Sequence, residues 1–128
     1  KNKIMGLNST EVAYGFGQMG SAYLGDTDIF TPPTGKVVVA ITILQSGTSF
    51  QALTGDTSGY VDGTTGANLA GSTAFIQTTA VGANGTNADN LANTINFPLG
   101  LTIYGRWTSV DLNTGRAILY FGPANTRN

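Results

Sequence analysis

No stretch of this 128-residue chain sustains an apolar repeat of 3.6 residues. Its apolar side chains come in short β-branched or alternating runs cut by Gly, Thr, Asn and Ser. Such a chain cannot give a helix a continuous apolar stripe, so strands are left to build the core. The richest run is residues 36–45, KVVVAITILQ, β-branched at most positions and apolar on both faces. It predicts a central strand covered on both sides. After the turn residues Ser46-Gly47-Thr48, residues 49–53, SFQAL, alternate as a short second strand would, and residues 72–79, STAFIQTT, predict a third around Phe75 and Ile76. Residues 54–71 are punctuated by Gly and Thr and predict a long loop. Residues 80–93 return to Gly, Asn and Ala, with a short helix over 87–93 as one option and a turn at Asn84-Gly85 as the stronger signal.

Strand, turn and strand are all readable with a mechanism between Leu101 and Phe121, LTIYGRWTSVDLNTGRAILYF. Regular alternation puts Leu101, Ile103, Gly105, Trp107, Ser109 and Asp111 on one face and Thr102, Tyr104, Arg106, Thr108, Val110 and Leu112 on the other. Asn113-Thr114-Gly115 supplies the turn, with Gly115 free to adopt positive φ. The stretch predicts an antiparallel hairpin. It carries the only Trp, which alternation separates from Tyr104, so at least one of the two belongs to the core. Arg106 beside it reads as a surface or interface charge paired with a carboxylate such as Asp111 or with a partner chain.

The expected fold class is therefore all-β, an antiparallel β-sandwich or jelly-roll-like domain over residues 36–128. A length of 128 residues suits one domain with a core that needs no staples. Residues 1–35 read differently. Glycines 15, 17, 20 and 25 interleave with Tyr14, Phe16, Met19, Tyr23 and Leu24, too much Gly for a helix and too apolar for water. This predicts an extended N-terminal arm lying across a neighbouring subunit, with a first strand and loop packed on its own domain as the alternative. Thr31-Pro32-Pro33-Thr34-Gly35 closes the segment with a stiff turn.

Composition narrows function. Charged residues make up 10% of the chain, against about 25% in a typical globular domain, and the net charge is -1. A nearly neutral, uncharged-polar surface suits packing against another protein and offers nothing to a phosphate backbone or anionic lipid, so neither nucleic acid nor membrane is expected as a partner. No apolar run approaches the ~20 residues of a membrane span, and KNKIMGLNSTE lacks the apolar segment of a secretory signal, so a soluble, unprocessed chain is expected. Cys and His are both absent, which removes disulfides, thiolate nucleophiles and the commonest general base and metal ligand.

What remains of catalytic or ligand chemistry is sparse. Gly15-Phe16-Gly17-Gln18-Met19-Gly20 matches G-x-G-x-x-G by letter but lacks the flanking strand and helix of a dinucleotide site. Asp26 with Asp28, and Asp56 with Asp62, are paired carboxylates that could hold Ca²⁺ or do acid and base work, yet Gly25-Asp26-Thr27-Asp28 and Asp56-Thr57-Ser58-Gly59 are sequences that form Asx turns. Ser and Thr nucleophiles have no His to activate them. The chain reads as noncatalytic, with no cofactor and no metal.

The block from Phe97 to Gly122, FPLGLTIYGRWTSVDLNTGRAILYFG, resembles the ending of small virion structural proteins of tailed bacteriophages, with a Pro/Gly turn, a YGRWT strand, a turn and a terminal apolar strand closing on Gly. Residues 37–44, followed by Phe50 and Leu53, are similar to the middle of the same proteins. The resemblance implies a capsid decoration, or cement, protein assembled in the host cytoplasm, bound to the major capsid protein on the outer face of the head and commonly a homotrimer. Tyr14, Phe16, Met19 and Tyr23 are the expected partner-facing anchors, with Arg106 and Arg116 as polar contacts. The alternative is a carbohydrate-binding or adhesion β-sandwich of a tail or fibre, using the 54–71 loop around Tyr60 and exposed aromatics.

Overall fold

A computed structural model describes residues 19–56, 75–78 and 89–124. Five strands run in the order β1 (Ser21–Leu24), β2 (Lys36–Ile43), β3 (Ser49–Gly55), β4 (Thr102–Thr114) and β5 (Ala117–Pro123). They form one open antiparallel sheet in the spatial order β1-β5-β2-β4-β3. The protein is all-β as expected, and the described strands make one sheet, not the two separate sheets of a sandwich or jelly roll. No helix occurs among the described residues, including residues 89–93 of the helix option.

The β-branched run is the middle strand, with β5 on one side and β4 on the other. Val38, Ile41 and Ile43 of β2 are fully buried. They meet Phe50 and Leu53 of β3, Trp107, Val110 and Leu112 of β4, Ala117, Leu119 and Phe121 of β5, and Leu24 of β1 in a single apolar cluster. Phe30 stacks on Phe121 at 5.8 Å, and Phe97 meets Phe50 edge-on at 5.3 Å, which closes the cluster at two places outside the strands.

Two expectations need correction. The stretch 101–121 is not a hairpin, because β2 lies between β4 and β5 and pairs with both. Gly115 does turn the chain, with φ of 92°, but the turn crosses the end of β2: Leu44 N–H donates to the Arg116 carbonyl at 2.9 Å. Ala117 then sits against Ile43, while Thr102 sits against Thr42 on the opposite side. The two ends of β4 are thereby held within about 20 Å, where 13 straight residues would span about 40 Å. β4 must curl. Its first half, up to Trp107, pairs with β2 and its second half with β3.

The curl has a cause in the register. Between Tyr104 and Trp107, β4 carries one residue more than β2 does between Ala40 and Val38. Against β3, Thr108 and Asn113 are again extra residues. Each bulge bends the strand and adds twist, and three of them fall on one strand. They also break the expected alternation. Trp107 and Val110, which a regular strand sets on opposite faces, both enter the core, and Arg106 is buried beside Trp107.

Residues 19–35 pack on their own chain. Residues 21–24 pair with β5 at the sheet edge, Phe30 bridges to Val110, and Lys36 N–H donates to the Pro33 carbonyl at the proline turn. This is the arrangement of the first-strand alternative for that part of the expected arm; residues 1–18 lie outside the described residues. Of the strand expected at 72–79, the described residues 75–78 form no strand, but run beside β3, with Thr78 N–H donating to the Leu53 carbonyl.

Candidate functional site

Two features stand out once the core is accounted for: a buried polar clamp and an uncharged outer face. The clamp centres on Arg106. Its Nε donates to Asp56 Oδ2 at 3.3 Å and its guanidinium also donates to the Pro123 carbonyl at 3.0 Å, with both side chains almost fully buried. The Asp56 amide donates to the Arg106 carbonyl at 2.8 Å, so the pair is tied through backbone as well as charge. Next to it, Trp107 Nε1 donates to the Ile76 carbonyl at 2.7 Å and Gln77 Oε1 accepts from the Gly55 amide at 2.9 Å. Asp56 and Ile76 are thus fastened to β4, and Gln77 to the end of β3 beside it. A buried ion pair satisfied in this way holds geometry, since losing either partner leaves the other charge out of water.

The expectation for Arg106 is corrected here. It is an interior group paired with Asp56, not a surface charge paired with Asp111. One carboxylate oxygen of Asp111 is buried and has no hydrogen-bond partner.

The outer face is read from the register. One row across four strands is Ser21, Tyr120, Ala40 and Tyr104; the next outward row is Tyr23, Ile118, Thr42 and Thr102. The row between them, Ala22, Leu119, Ile41 and Ile103, faces or packs against the core. None of the eight outward positions is charged, and three are tyrosines. Tyr104 and Tyr23 are 69% and 61% exposed. Thr42 and Thr102 share a hydroxyl hydrogen bond at 2.8 Å, which fixes both on this side. Ala40 points outward yet is only 8% exposed, being a small residue between two tyrosine-bearing strands. Tyr104 and Tyr120 are two strand spacings apart, about 10 Å, with Ala40 as the floor between them.

The sequence-expected site residues distribute unevenly over these features. Tyr23 lies on the outer face and Arg116 is exposed at the turn that ends β4. Met19 packs against the core, and its carbonyl accepts from Lys36 Nζ at 2.7 Å. Arg106 is in the clamp. Tyr14 and Phe16 lie outside the described residues, as do Tyr60, Asp62 and most of the G-x-G-x-x-G run. Tyr104 and Tyr120 were not among the expected anchors. Their signal was available in part: both fall in recognisable strands, but only the pairing of each with Ala40 places them on one face.

As for chemistry, Asp26 Oδ1 accepts from the Asp28 amide at 3.0 Å, the Asx turn expected there. Among the described residues no three acidic, His or Cys side chains gather as metal ligands would. No described helix is long and apolar enough to cross a membrane. What the outer face can do is present hydroxyls and aromatic edges to a neutral surface. The chain matches no known family, no curated protein and no solved structure in comparisons with each.

Proposed function

We propose that this chain is a noncatalytic virion decoration protein that lays the outer face of β1, β5, β2 and β4 on the major capsid protein of a phage head. The observation that carries the reading is the uncharged face with Tyr23, Tyr104 and Tyr120 standing on a sheet whose opposite side is the core. Tyrosine gives large contact area at low entropic cost and keeps a hydroxyl for hydrogen bonding, which suits a protein interface. The virion assignment is supported by the resemblance of residues 97–122 to small phage structural proteins. The curl of β4 favours a sandwich-like reading of the domain, in which one bent sheet serves for two layers.

Size is part of the argument. Two rows on four strands cover on the order of 300 Å², well below the ~800 Å² per partner of a stable pairwise complex. Such a face works when it is repeated. Many copies on one regular lattice add their contacts, and each resists outward strain at its own junction. Arg116 is exposed and available for a polar contact at the margin of the same region.

The test is co-sedimentation of the purified chain with heads assembled without it, comparing wild type with a Tyr23→Ser, Tyr104→Ser, Tyr120→Ser variant. Binding should fall at least tenfold in the variant while its circular dichroism is unchanged. Undiminished binding would remove the face from the interface, and no binding by either protein would remove the capsid. The Tyr104-Ala40-Tyr120 arrangement also favours a second reading, a platform for a neutral sugar; retention on a polysaccharide gel that the same variant loses, without capsid binding, would select it.

A further inference from the structure

We propose that β1 is a self-pairing edge through which two copies of this chain join their sheets about a two-fold axis. The two edges of the sheet are treated differently. The edge of β3 is covered: Leu53 exchanges bonds with Thr78, and the Gly55 amide reaches Gln77. Among the described residues, nothing covers the edge of β1.

Which groups are open follows from the ladder. Phe121 N–H donates to the Gly20 carbonyl, so Gly20, Ala22 and Leu24 turn their backbone groups toward β5, and Ser21 and Tyr23 turn theirs away. Among the described residues no other chain segment bonds the backbone of Ser21 or Tyr23. The strand is short, at four residues, which limits the strength of any pairing, but SAYL carries no charge, no Pro and no bulge to oppose it.

The spacing is self-complementary. Antiparallel pairing with Ala22 opposite Ala22 of the second copy sets Ser21 opposite Tyr23, and Tyr23 opposite Ser21, and both pairs then exchange two backbone hydrogen bonds. The small Ala22 side chains meet at the axis, and each Tyr23 lies over a small Ser21. The charges also agree. In this register Gly25 of one copy faces Met19 of the other, which brings the acidic end bearing Asp26 toward the end where the Met19 carbonyl holds the Lys36 ammonium. A second consequence concerns area: the outer faces of the two copies become one continuous uncharged surface of twice the size. This pairing goes beyond the capsid reading and does not depend on it. It expects a two-fold contact where the resemblance implies a trimer.

The experiment is light scattering with amide hydrogen exchange on the full chain, from about 20 µM to about 2 mM, the range in which weak edge pairing is populated. The mass should rise from 13.2 kDa toward twice that value, with the Ser21 and Tyr23 amides gaining protection over the same range. Tyr23→Pro should remain monomeric, since it removes a donor that the intrachain ladder does not use, whereas Tyr23→Thr keeps the donor and should still pair. A monomer with fast-exchanging Ser21 and Tyr23 amides at every concentration overturns the proposal. So does a trimer, or a dimer that Tyr23→Pro leaves intact. If Tyr23→Pro does not fold, the wild-type exchange pattern alone decides.

Discussion

Gly115→Ala separates two costs that are usually mixed. Gly115 has φ of 92° and Gly47 has φ of 86°, so an alanine at either pays nearly the same conformational penalty, about 1–2 kcal/mol. Their surroundings differ. A Cβ at Gly47 meets nothing within 4 Å, while at Gly115 it would overlap Thr48 Oγ1 and lie 2.6 Å from Thr48 Cα. The hydroxyl could swing aside only by giving up its bond to the Gln45 carbonyl at 2.6 Å, worth about 1 kcal/mol net, and the Cα cannot swing at all. Relieving that overlap requires a backbone shift of the kind that costs about 1–3 kcal/mol. Gly115→Ala should therefore lose about 3–6 kcal/mol and Gly47→Ala about 1–2. Urea unfolding reads this directly: at a slope near ~1.5 kcal/mol/M, the Gly115 variant should unfold about 2–4 M earlier than wild type and the Gly47 variant about 1 M earlier. Equal losses within ~0.5 kcal/mol would refute the packing of the β4–β5 turn against Thr48, and with it the path of the chain across the end of β2.

Two further outcomes test the clamp. Asp56→Asn should destabilise by about 3–5 kcal/mol by removing the counter-charge of a buried guanidinium, while Asp56→Leu combined with Arg106→Met should cost much less than that, measured as a double-mutant cycle in urea. Trp107→Phe should cost about 2–4 kcal/mol, from lost volume at a fully buried site and from an Ile76 carbonyl left without the indole donor; a loss below ~1 kcal/mol would mean that Ile76 is not fastened there.

Much of the fold is legible in the residues because its signals are local. The β-branched run of β2 announces a buried strand by composition, Gly115 announces a turn by needing positive φ, and of the two aromatics that alternation separates, at least one of them core, Trp107 is buried and Tyr104 exposed. What could not be read is nonlocal. A turn signal states that the chain reverses, not which strand stands between its arms, so β2 between β4 and β5 is invisible from 101–121 alone. The bulges that put Arg106 inside have no compositional mark beyond Gly105, and the carboxylate that neutralises Arg106 lies 50 residues away in a Gly/Thr-rich segment. The site shares this limit. Tyr23 was recognisable as an aromatic near glycines, but its grouping with Tyr104 and Tyr120 exists only through the register of three strand pairs.

The position of β2 also sets a schedule for biosynthesis. Both of its hydrogen-bonding partners, residues 102–107 and 117–123, are translated long after it. Roughly 60 residues separate Ile43 from Thr102, about 3 to 12 s of synthesis at 5–20 residues per second. Through that interval KVVVAITI has two unpaired edges, one charge at its start and no Pro or Gly within it, the kind of segment that pairs with its own copies in other nascent chains. Yield in a heterologous host should accordingly depend on translation rate and on chaperones that hold extended apolar segments, more than on the stability of the finished sheet.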